Sequence, residues 1–183
     1  MPPGHVTDVL WFVLGLFAAG VYLSWTAGRL DRLHARVDGS RAALDAQLVR
    51  RSAVSMELAT SGLLDPASAL LIADAAHAAR QAEGEASPQA ESDLSRALRA
   101  ALDQPEQLEE LTGPAEGRQL VEELEGAGRR VVMARRFHND AVRAARALRT
   151  KRHVRYLRLA GHAPPPVTFE CDDAPPECLA REL

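Results

Sequence analysis

Aromatic side chains make up only 4% of this 183-residue chain. No convincing strand appears anywhere in the sequence, so a sheet is not expected. The same scarcity removes the stacking platforms on which single-stranded nucleic acids are held. Cysteine is limited to Cys171 and Cys178. A C-x6-C spacing with no neighbouring histidine is not a zinc pattern, and in a reducing cytoplasm the expected state is two free thiols. The acidic runs around Glu106–Glu110 and Glu122, Glu123 and Glu125 lack the inward Glu-x-x-His pairs of a di-metal bundle. They read as a solvated face, and no metal or cofactor is expected.

Two further absences define the N-terminus. Residues 1–8 contain no lysine or arginine, and Val9 to Gly28 contains no charged side chain. Such a stretch, as a helix, is about 30 Å long and matches a bilayer's hydrocarbon core. Trp11 and the Tyr22/Trp25 pair fall near its two ends, where amphipathic rings favour the headgroup layer. A cleaved signal peptide would need a basic start and a shorter apolar core. A soluble core helix rarely runs this far without a charge. The stretch is therefore expected to be a single, uncleaved transmembrane anchor. Arg29, Arg32, Arg36 and Arg41 follow it closely, which by the positive-inside rule leaves the N-terminus outside and the rest cytoplasmic.

What is present beyond the anchor is helical. The chain is 46% hydrophobic, much of it alanine, and rich in leucine, arginine and glutamate. Leu30, Leu33, Val37, Leu44, Val54 and Leu58 fall on a seam spaced three and four, with Ser40, Gln47 and Arg51 filling its gaps, so the first helix is predicted to continue to about Thr60. Ser61-Gly62 ends it. Asp65-Pro66 and Ser87-Pro88 each read as a cap followed by proline at the first helical position. They open helices over about 66–82 and 88–102. Pro105 and Thr112-Gly113-Pro114 bracket a short turn of helix, and a last long helix takes about 115–150. Its seam is Leu120, Leu124, Ala127, Val131, Ala134, His138, Ala141, Ala145 and Leu148. The fold class is all-α: one N-terminal transmembrane helix continuing into an antiparallel up-and-down bundle. The expected domains are residues 1–28 (short outer terminus and anchor), 29–160 (cytoplasmic bundle) and 161–183 (a Pro-rich, acidic, disordered tail).

Two motifs add a family. Arg36-Val37-Asp38, Asp45-Ala46-Gln47-Leu48 and Arg50-Arg51 lie on the first helix. Ala134-Arg135-Arg136-Phe137-His138-Asn139-Asp140-Ala141-Val142 lies on the last. Together they resemble the LemA family, with its "VD…DxQLxRR" and "ARxxYNDAV" runs, over roughly residues 26–170. His138 stands where the family has tyrosine. The resemblance implies a four-helix up-and-down bundle on a single-pass anchor, an extracellular N-terminus and no established enzymatic activity.

Charge is unevenly spread. Residues 103–125 hold eight acidic side chains against Arg118, and residues 129–158 hold eleven basic ones against Asp140. If the last helix runs antiparallel to the first, Arg143, Arg146, Arg149, Arg152, Arg155 and Arg158 return toward the anionic inner leaflet. Each contributes about 1 kcal/mol near such a surface. Lipid contact is the expected use of this segment, and nucleic acid is not the expected partner. Arg50, Arg51, Asp38 and Asp140 are candidates for inter-helix ion pairs that fix register. His138, on the apolar seam without a nucleophile nearby in sequence, reads as a buried, hydrogen-bonded side chain. The functional expectation is a membrane-anchored, non-catalytic scaffold with a protein partner. The alternatives are a tethered enzyme around His138 and a polyanion binder at the basic end.

Overall fold

The computed structural model describes residues 4–84, 87–151 and 164–176, with side chains from residue 8 onward. Within them lie five helices and no strand: α1 (Gly4–Thr60), α2 (Pro66–Gln81), α3 (Ser87–Leu102), α4 (Pro105–Thr112) and α5 (Ala115–Arg149). These bounds fall within one or two residues of the sequence reading wherever that reading named a boundary. The reason is local punctuation. Asp65 caps α2 by accepting from the backbone N–H groups of Ala67 and Ser68 at 2.9 and 3.1 Å. Hydrogen bonds from Ser68 and Gln107 hold the Asp65 carboxyl down at about 2. Gly62 takes a φ of +76° just past the end of α1, a left-handed turn that any side chain would strain.

Gly117 answers a different need. A Cβ there would sit 1.8 Å from the Leu111 carbonyl oxygen, so the α4–α5 connection closes only around glycine. Arg118 completes that corner by donating to the carbonyls of Thr112 and Gly113 at 2.9 and 2.7 Å. These are the orphan acceptors at a helix end.

The chain forms two compact units, one from residues 1–39 and 140–167, the other from 40–139 and 168–183. In the first, Leu30 packs on Leu148, and Val37 packs on Ala141, Val142 and Ala145. As α1 advances α5 recedes, so the two segments are antiparallel here. The apolar residues before Leu30 are left uncovered: Phe12 is 74% exposed and Phe17 70%. α1 is the one described helix long and apolar enough to cross a membrane, judged by length and composition.

The second unit holds the main core. Val54 and Leu58 of α1, Ile72 and Ala76 of α2, Leu94, Leu98 and Leu102 of α3, Leu111 of α4, and Leu120 and Leu124 of α5 form one cluster. A fully buried leucine of this kind contributes about 1.5–3 kcal/mol. On α2 the buried stripe is Ile72, Ala76 and Ala79, while Leu70 and Leu71 point outward. A three-residue apolar run covers more of a helix's circumference than one face can bury.

Residues 164–176 have neither helix nor strand, yet those in the second unit do not hang free. Phe169 is 1% exposed and packs with Leu44, Leu48 and Val131. The Arg41 guanidinium lies 4.9 Å from its ring centroid. The sequence-based expectation of a disordered tail over 161–183 thus meets an ordered strap over 168–176. One aromatic and a set of side-chain anchors hold it in place.

Candidate functional site

Arg51 sits at the polar centre of the second unit. It is 4% exposed, and its partner Glu91 is 2% exposed. Glu91 and Ser95 are four apart on α3 and therefore share a face. Arg51 Nη1 donates to Ser95 Oγ at 3.1 Å, and Nη2 donates to the Glu91 carbonyl at 3.0 Å and to Glu91 Oε2 at 2.5 Å. Burial pushes the Glu91 carboxyl up, and the adjoining Arg51 pulls against that shift. Arg51 Nε is buried without a partner.

Arg51 and Ser95 also line a cavity of about 420 Å³. Its other walls come from Leu98 on α3, from Leu124, Gly128, Val132, Met133 and Arg136 on α5, and from Pro175-Pro176 of the strap. The strap reaches this position through four side chains. Asn139 brackets the main chain of Phe169, accepting from its N–H at 2.8 Å and donating to its carbonyl at 3.1 Å. Arg135 pairs with Asp173 at 2.7 Å, and that hydrogen bond holds the guanidinium's pKa up. Arg99 pairs with Asp172 and donates to the Ala174 carbonyl at 2.8 Å. Ser92 Oγ accepts from the Asp172 N–H at 3.0 Å. Burial pushes the Cys171 thiol up to about 11, which makes it a poor nucleophile at neutral pH. Cys178 lies outside the described residues.

The sequence-derived ion pairs are partly redistributed. Arg50 pairs with Glu123 at 3.1 Å and Arg51 with Glu91, both between helices. Asp140 instead pairs within α5, with Arg143 at 3.4 Å. A one-turn neighbour is the nearer partner for a carboxylate on an exposed face.

His138 is 2% exposed, and its Nδ1 lies 3.3 Å from Ser40 Oγ. The two are far apart in sequence, which is why no hydroxyl was legible beside the imidazole. His138 does not line the cavities of about 420, 370 and 250 Å³, whereas Ser40 borders the last of these.

Of the basic residues assigned to lipid contact, three are described. Arg143 and Arg146 are exposed and Arg149 is half-buried. Arg146 Nε donates to the Pro166 carbonyl at 2.7 Å, and Arg149 Nη1 donates to that of Pro164 at 3.1 Å. Arg146 keeps further N–H donors on its guanidinium. Arg152, Arg155 and Arg158 lie outside the described residues.

The class defined by these features is an all-α chain with one apolar N-terminal helix and a buried ion-pair centre beside a cavity. No family model matches the chain, and no curated protein matches it.

Proposed function

We propose that the protein is a single-pass, membrane-anchored helical scaffold of the LemA type. Its apolar N-terminal stretch spans the bilayer, its N-terminus lies outside, and its remaining helices are cytoplasmic and bind a protein partner without catalysis. The observation that best supports this reading is the pairing of Leu30 with Leu148 at the point where α1 stops exposing apolar residues and starts burying them. It sets Arg143, Arg146 and Arg149 beside the first turns of α1 that follow the apolar stretch, where anionic headgroups would receive them.

The experiment is alkaline carbonate extraction followed by sided labelling. Cys171 is a poor reporter, so the labelled variant is Ala78→Cys, on the exposed face of α2, with both native cysteines changed to serine. Retention in the membrane pellet, with labelling only after the membrane is permeabilised, supports the reading. Release by carbonate, or labelling from outside intact cells, contradicts it.

A tethered enzyme is the second reading, favoured only by the Ser40–His138 contact at 3.3 Å. The burial of His138 weighs against it, because a general base must reach the proton that it removes. Covalent capture of Ser40 by a fluorophosphonate probe, lost in His138→Gln, is what that reading requires.

A further inference from the structure

The cavity of about 420 Å³ in the second unit falls within the size range of small-ligand sites, and its walls sort by chemistry. Leu98 and Leu124 are buried, Val132 is half-buried, and Met133 is 56% exposed, so an apolar surface leads from the core outward. Arg129 is paired with Glu125, and Asp173 with Arg135. Arg51 is already matched by Glu91 at 2.5 Å, so a second carboxylate at that depth would meet a like charge. Arg136, exposed on α5, borders the same cavity and has no ion pair or hydrogen bond among the described residues. The cavity therefore offers one unmatched positive charge at its rim and an apolar interior.

The geometry points to a binding site for a long-chain monocarboxylate, a free fatty acid in chemical class. Its carboxylate meets Arg136 at the rim, and its alkyl chain lies along Val132, Leu124 and Leu98. A neutral lipid would leave the rim charge unmatched, and a doubly charged phosphate would exceed it. Gly128 supplies the space. A Cβ at that position meets nothing within 4 Å, so a larger side chain there projects into the room that the alkyl chain needs.

The test uses the full chain in lipid nanodiscs and dodecanoate with a terminal diazirine. After photolysis, cross-links are mapped by mass spectrometry. Label is expected on residues 124–133, displaced by laurate at least tenfold better than by dodecanol, because a charge-assisted pair forms only with the acid. Competition should strengthen about fourfold per methylene from octanoate to laurate, the value of burying one CH₂. Arg136→Gln is expected to equalise laurate and dodecanol while dodecanol competition stays unchanged. Gly128→Leu is expected to abolish the label on α5. The site is overturned by label confined to the apolar stretch Val9–Gly28, by equal competition of acid and alcohol in the unaltered protein, or by full labelling of Gly128→Leu.

Discussion

Asn139 satisfies both main-chain polar groups of Phe169, accepting at 2.8 Å and donating at 3.1 Å, with both residues buried. A side-chain amide is the one neutral group that offers a donor and an acceptor in this spacing. Asn139→Ala leaves a buried N–H and a buried C=O unmatched and should cost about 2–4 kcal/mol in urea unfolding. Phe169→Ala should cost about 3–5 kcal/mol. Either change releases the strap, so the double variant should fall well short of the sum. Additive losses would show that the strap is not docked as a unit.

The Arg51–Glu91 pair gives an asymmetric result. Arg51→Met alone leaves Glu91 buried without a counter-charge and should destabilise by about 3–5 kcal/mol. Arg51→Met combined with Glu91→Leu should recover most of that loss, because desolvation is then absent on both sides. A double variant as unstable as the single one would place the cost in packing.

Cys171 contributes a pH dependence in the alkaline range. Its thiol titrates near 11 in the folded chain against an ordinary value of 9.0. Between those values the unfolded chain has released a proton that the folded chain retains, so stability falls as pH rises through this window. Cys171→Ser should flatten that slope. With Cys178 changed to serine, maleimide labelling of Cys171 in the folded protein should be slow at pH 7 and quicken toward pH 11.

Two glycines on α5 should respond in opposite directions. Gly117→Ala drives a methyl into the Leu111 carbonyl and should lower stability by about 1–3 kcal/mol or more. Gly128→Ala, with open space around the new Cβ, should raise it by about 1 kcal/mol through helix propensity. Thermal melts of the two variants distinguish a steric requirement from a tolerated helix weakness.

The helices were legible because their information is local. Asp65-Pro66, Ser87-Pro88 and the glycine and proline around residue 113 stop and start helices wherever they occur. The seam of α5 from Leu120 to Leu148 followed from spacing alone, and of its nine positions only Ala134 stays half-buried. The site was not legible in the same way. Arg51 fills a gap in the apolar seam of α1, but its partner lies 40 residues away on α3, and no period links the two. Phe169 is a single aromatic in a proline-rich stretch. Its burial depends on Asn139, which the sequence presented only as part of a motif. The cavity exists because α3, α5 and the strap leave space beside Gly128, a tertiary property.

The central claim is that α1 anchors the protein and that the basic end of α5 meets the same membrane. It is tested most directly by a fluorophore on Ala147→Cys, an exposed position between Arg146 and Leu148, in the reconstituted full chain with both native cysteines changed to serine. Lipids carrying a nitroxide at the headgroup report contact by quenching. The account predicts strong quenching in anionic bilayers, weakened by raised salt and by Arg143→Glu with Arg146→Glu. Equal, weak quenching in anionic and neutral bilayers, indifferent to those changes, would contradict it.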